Sequence, residues 1–191
     1  MFTPSNRSVL LVIDVQKAFD DPVWGKRNNP DAEENISQLI AAWRQRAYPI
    51  IHIQHLNPNP ESIFNQNQPG FRIKKEALPV KGEPVLFKKV NSAFIGTDLE
   101  NRLRALSYTV LVVVGITTDH CVATTTRMAG NLGFETYIVS DATATFERTG
   151  PDGRHWSASD MHDVALASLN KEFATVATTS EILLGFKGAE A

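Results

Sequence analysis

Three reactive side chains stand at the ends of short apolar runs, far apart in this 191-residue chain. Asp14 closes Val9-Leu10-Leu11-Val12-Ile13, Lys88 follows Val85-Leu86-Phe87, and Cys121 comes shortly after the run from Val110 to Gly115. A carboxylate, an ammonium and a thiol are the types that nucleophilic catalysis by cysteine requires. One takes the thiol proton, one holds the anions, and one attacks. Each alone has a plainer reading. A strand-end aspartate often only caps a turn, a lysine after a strand is usually a solvated charge, and a lone cysteine is usually a small buried hydrophobe. Cys121 stands in a better context. The run Val114-Gly115-Ile116-Thr117-Thr118-Asp119-His120-Cys121 leaves a strand, turns through hydroxyl residues and enters a helix. With Thr118 or Asp119 as its cap, that helix holds Cys121 in its first turn. There the unpaired N–H groups and helix dipole are expected to lower the thiol pKa. The same N–H groups point to where an oxyanion would develop.

The elements that must position these residues follow from periodicity. Val9 to Ile13, Val110 to Val114 and Tyr137-Ile138-Val139 are too short for helices and rich in β-branched residues, so they predict strands buried on both faces. Ile50 to Gln54, Pro84 to Phe87 and Ala174 to Val176 are weaker strand candidates. Ile36, Leu39, Ile40 and Trp43 mark a helical stripe. Leu99, Leu103 and Leu106 mark another, begun by Thr97-x-x-Glu100 in capping-box form. Met128 and Leu132, then Val164, Leu166 and Leu169, belong to two more. Strands alternating with helices predict a three-layer α/β/α sandwich on a mostly parallel, doubly wound sheet. In such sheets ligands bind beyond the carboxyl ends of the strands, where Asp14, Lys88 and Cys121 fall. The proline-rich stretch from Leu56 to Glu83 has few periodic apolar positions and reads as a lid, binding loop or subunit contact. No repeat or linker divides residues 1–191, which read as a single domain.

Composition narrows the classes. A formal charge of -2 with no basic run argues against nucleic acid. No apolar stretch is long enough to span a bilayer. The first eight residues lack a secretory core, and the single cysteine admits no internal disulfide, so a cytoplasmic location is expected.

Val12-Ile13-Asp14-Val15-Gln16 with Phe19, and Lys88-x-x-x-Ser92-Ala93-Phe94 with Thr97 and Leu99, resemble the isochorismatase-like cysteine hydrolases. So do Gly115-Ile116-Thr117-Thr118-Asp119-His120-Cys121-Val122-x-x-Thr125 and Ser140-Asp141-Ala142. The resemblance runs from about Ser8 to Leu184. It implies that the family's lysine, four residues before the serine, is Lys88 rather than Lys89. It also implies an Asp14–Lys88–Cys121 triad that cleaves a C–N bond of a small amide, carbamoyl compound or lactam through a covalent intermediate on Cys121. The family's oxyanion hole maps to the N–H groups of Thr117 and Cys121, with a cis peptide between Ile116 and Thr117.

Nicotinamidases of this superfamily hold a metal through Asp-x-His and a further histidine. Here His55, Asn57 and Pro60 stand at those positions, and His52 and His55 point to opposite faces of a strand, so no metal and no other cofactor is expected. Phe19, His55, Phe64, Phe94 and Trp156 are the candidate substrate-binding residues, suiting an apolar or planar small molecule. The proline-rich loop resembles a dimer-building element, implying a homodimer or higher homo-oligomer. Two alternatives use the same fold. One is an isochorismatase-type vinyl ether hydrolase, disfavoured because such members generally lack the cysteine. The other is a non-catalytic thiol or ligand-binding protein, which leaves Asp14 and Lys88 unexplained. A nucleotide-binding domain lacks its Gly-x-Gly-x-x-Gly, since Val15-Gln16-Lys17-Ala18 stands there instead.

Overall fold

The short β-branched runs form strands, because each is apolar on both sides and can be covered on both. The computed structural model describes residues 2–188. Its strands are β1 (Ser8–Ile13), β2 (Ile50–His55), β3 (Val85–Lys88), β4 (Val110–Ile116), β5 (Glu135–Ala144), β6 (Arg148–Thr149), β7 (His155–Trp156) and β8 (Thr175–Ala177). β6 and β7 make a small antiparallel hairpin, and the other six form one parallel sheet in the order β3-β2-β1-β4-β5-β8. The strand order reverses between β1 and β4, which opens a crevice beyond their carboxyl ends.

Alternation along β1 creates the three layers. Leu10 and Val12 pack on one side, with Ile36, Leu39, Ile40 and Trp43 of α1 (Ala32–Gln45) and Ile182 and Phe186 of α5 (Thr179–Gly188). Val9, Leu11 and Ile13 face the other side. Their neighbours there are Leu99 and Leu103 of α2 (Leu99–Ala105), Ala129 of α3 (Ala123–Asn131), and Leu166 and Leu169 of α4 (Ala158–Leu169).

Three expectations need correcting. Leu106 lies just past α2 and is 60% exposed, and Val164 on α4 is 62% exposed, so neither extends its helix's buried stripe. Thr97 and Glu100 form no capping box: Asp98 precedes α2, and Glu100 instead holds Arg104 at 2.8 Å, one turn on. Capping boxes stand instead at α4, where Ser157 and Asp160 exchange hydrogen bonds of 3.1 and 3.2 Å, and at α5, where Thr178 and Glu181 exchange bonds of 2.8 and 3.3 Å.

The long loop between β2 and β3 is ordered by polar anchors rather than by periodic apolar residues. Gln16, just past β1, donates to the carbonyls of His55 (3.1 Å) and Phe71 (3.0 Å) and accepts from the His55 N–H (2.8 Å). Buried Lys74 donates to Asp20 at 2.5 Å and Glu33 at 2.7 Å, pinning the loop to α1.

Candidate active site

Four adjacent strands deliver one side chain each to the crevice. Lys88 and His55 are the last residues of β3 and β2 and lie opposite one another in register. Asp14 follows β1 in a left-handed conformation (φ 50°), its N–H held by the Ile53 carbonyl at 2.9 Å. Beside it β4 passes through Gly115, whose φ of +127° suits only glycine; a Cβ there would sit 1.9 Å from the Ile13 carbonyl oxygen. This close approach brings the turn that carries Cys121 alongside Asp14.

Lys88 is the hub. Its fully buried Nζ lies 2.6 Å from Asp14 Oδ2, 3.1 Å from Cys121 Sγ and 3.2 Å from His55 Nδ1. The ammonium is ion-paired with Asp14 and hydrogen-bonded to Cys121 and His55. Because His55 Nδ1 accepts, the ring proton of His55 belongs on Nε2.

The electrostatics differ from the expectation for a helix-terminal thiol. Burial, joined by the negative charge of Asp14, pushes the Cys121 thiol up to about 12 against the opposing pull of Lys88. Asp14 is also raised, because its complete burial outweighs the nearby Lys88. His55 is pushed down to about 4, first by burial and then by the Lys88 charge, so it is neutral near pH 7. The thiol therefore rests protonated beside a carboxylate made more basic by burial.

The Ile116–Thr117 peptide is cis. Thr118–Val122 form a single wide turn that runs into α3, and the N–H groups of His120 and Val122 both bond the Thr117 carbonyl at 3.2 Å. Neither proposed cap acts as one. Thr118 Oγ1 bonds Nδ1 of buried His162 (2.9 Å), while Asp119 accepts from Thr145 (2.5 Å) and Arg148 (3.2 Å). These bonds fasten the turn to α4, to the residue just past β5 and to the hairpin instead.

Asp14, Thr117 and Cys121 open onto a cavity of about 150 Å³ whose walls are Phe19, Trp24, Phe64, His55, Asn91 and His120. Phe19 sits at ring-centroid distances of 5.1 Å from Trp24 and 5.2 Å from Phe64, with Phe146 stacked behind at 6.1 Å. Of the five substrate-binding candidates, Phe19, His55 and Phe64 are thus brought together. The other two are corrected. Phe94 stacks on Phe134 (6.1 Å) against the α2–α3 side of the core, and Trp156 lies on the β6–β7 hairpin under the Arg154 guanidinium (3.8 Å). Trp24 and Asn91 escaped the sequence reading. The signal for Trp24 was Asp21-Pro22, where Asp21 accepts from the Val23 N–H (2.9 Å) and starts the turn that presents the indole.

Among the described residues, Asp14, His55 and Cys121 are the one group with donor atoms close enough to share a metal, within 4.8 Å of one another. They do not fit one. The Lys88 ammonium already contacts all three, so a cation's place among them is held by a fixed positive charge.

The isochorismatase domain model matches residues 8–181. The chain is similar to the uncharacterized isochorismatase family protein YrdC of Bacillus subtilis, at 47% identity over 94% of this chain and 96% of that one. It is also similar to nicotinamidase 3 of Arabidopsis thaliana, at 26% identity over 89% of this chain and 84% of that one. A crystal structure from Chromobacterium violaceum, assigned as a hydrolase of the isochorismatase family, superposes with a TM-score of 0.96. It is 44% identical and covers 98% of this chain and 97% of its own.

Proposed function

This chain belongs to the isochorismatase family of hydrolases, and from that premise we propose that it is a cysteine hydrolase cleaving a C–N bond of a small amide. The observation that carries the reading is the Lys88 ammonium seated between the Asp14 carboxylate and the Cys121 thiol at the head of a cavity. The amide-directed name of nicotinamidase 3 supports the choice of bond.

In this reading Asp14 accepts the thiol proton as Sγ attacks the carbonyl carbon, so the thiolate forms only as it is consumed. Burial serves this, because it raises Asp14 and keeps it from being too weak a base. Lys88 offsets the negative charge wherever it lies on the Asp14–Cys121 pair. The N–H groups of Thr117 and Cys121 receive the oxyanion. Collapse breaks C–N, the nitrogen takes the proton from Asp14, and an amine or ammonia leaves. Water, deprotonated by Asp14, then cleaves the thioester to a carboxylic acid and restores the thiol. A redox role is opposed by the burial and raised pKa of Cys121.

The reading extends to self-association. Phe87 on edge strand β3, Val90 and Ile95 just beyond it, and Leu78 before it are exposed large apolar side chains, which supports a homo-oligomer that covers them. No helix among the described residues is long and apolar enough to cross a membrane.

The test is ammonia release from a panel of small amides and carbamoyl compounds, with intact-protein mass spectrometry for an adduct. Ammonia with an acyl adduct on Cys121 supports the reading. Turnover that persists in Cys121→Ala refutes it.

A further inference from the structure

We infer that the site selects uncharged amides and rejects amides bearing a carboxylate. The inference rests on the cysteine-hydrolase reading for its chemistry, but its geometric basis is separate.

The cavity holds about 150 Å³. Phe19, Trp24 and Phe64 wall it in tilted and edge-to-face contacts, a surface suited to a flat group.

Charge selection comes from what the walls can offer an anion. A carboxylate moved into such a place loses its water and needs a cation or several N–H groups in exchange. Lys88 is already engaged: its ammonium is ion-paired with Asp14 at 2.6 Å and hydrogen-bonded to Cys121 Sγ and His55 Nδ1. Its charge is matched by that of Asp14. His55 lines the cavity as a neutral side chain, the imidazole being held uncharged near pH 7. Asn91 is neutral, and the His120 ring has the Asp119 carboxylate 3.6 Å away. Arg148 lines the adjoining hollow, which shares Trp24 and Phe64 with this cavity, and its Nε is paired with Asp119 at 3.2 Å. Among the described residues, none of the side chains lining the cavity is a lysine or an arginine, and the single Asp119 carboxylate is shared by His120 and Arg148. Aromatic faces, themselves negative, make the walls worse for an anion.

A pair of reagents of nearly equal shape tests this on the wild-type protein. Iodoacetamide and iodoacetate both form an Sγ–CH2 bond and release iodide, and they differ in amide against carboxylate. Their rate ratio at Cys121, followed by intact mass, is divided by the same ratio for glutathione to remove intrinsic reactivity. The expected excess in favour of iodoacetamide is more than about 10-fold; an excess of 10-fold or less overturns the inference. Ammonia release from succinamide against succinamate separates the two claims. Equal turnover of both leaves the hydrolase standing and overturns the charge selection. No turnover of any amide, with the alkylation excess intact, removes the hydrolase and leaves the neutral pocket.

Discussion

Lys88→Met takes the charge out of the centre of the site while nearly keeping its volume. Both Lys88 and Asp14 are fully buried, and the ammonium lies 2.6 Å from the carboxylate. An ionised Asp14 left there without its partner would cost about 3–5 kcal/mol. It escapes that cost by taking up a proton. Burial already raises Asp14 above its ordinary 3.8, and Lys88 is the charge that pulls it down, so the variant's Asp14 rises further. A group whose folded pKa is raised stabilises the fold below its unfolded pKa. That stability is lost as pH climbs through the folded value, and in the variant the loss extends to higher pH. Urea unfolding should therefore show Lys88→Met destabilised by at most about 3–5 kcal/mol near pH 8 and by less near pH 5. Adding Asp14→Asn removes the stranded charge and should recover most of that loss. Both variants should lose about 10²–10⁴-fold in kcat/KM for any amide the wild type turns over. A double variant no more stable than Lys88→Met, or an active single variant, would refute the hub role of Lys88.

A thiol pushed up to about 12 predicts that the rate of Cys121 alkylation rises about tenfold per pH unit from pH 7 to 10 without levelling; a plateau below pH 8 contradicts the protonated resting state. Gly115→Ala should be inactive and less stable, losing about 1–3 kcal/mol from backbone conformation alone besides the contact at 1.9 Å with the Ile13 carbonyl. Wild-type Tm and activity in that variant would remove the close approach as a requirement. Light scattering should show a dimer or larger species that Phe87→Glu shifts toward monomer, since Phe87 is 50% exposed on the edge strand; a monomeric wild type ends the self-association reading.

The sheet was readable because β-branched runs such as Val110 to Val114 have no other stable burial. Asp14, Lys88 and Cys121 were readable because strand ends are where such a sheet collects side chains. What failed did so for local reasons. Thr118 and Asp119 looked like caps by type, but tertiary partners, His162 for one and Thr145 and Arg148 for the other, claimed their side chains. The thiol pKa went the opposite way because helix position can be read from sequence, whereas burial and the distance to Asp14 cannot. Phe94 and Trp156 show the same limit. An aromatic near a motif can face the core or a hairpin as easily as a cavity. Trp24 was missed because its place at the cavity depends on tertiary contacts, packing with Phe19 and Phe64 and an indole N–H bond to the Ala18 carbonyl at 2.8 Å.

Lys88, His55, Asp14 and Cys121 come from or just after β3, β2, β1 and β4, which are neighbours in that order across the sheet. The cluster therefore works as a checksum on strand register. A slip of β3 by one residue would turn Lys88 away and bring Phe87 or Lys89 to the crevice face. A shift of β4 against β1 would carry Gly115 from its place opposite Ile13 and drive a side chain into the backbone. Mispaired compact states can bury nearly as much apolar surface as the native one, so hydrophobicity alone discriminates poorly among them. Only the correctly registered sheet brings Asp14, Cys121 and His55 together around one buried ammonium. In refolding experiments, recovery of activity should accordingly lag recovery of secondary structure, because it reports the last strand to find its neighbour.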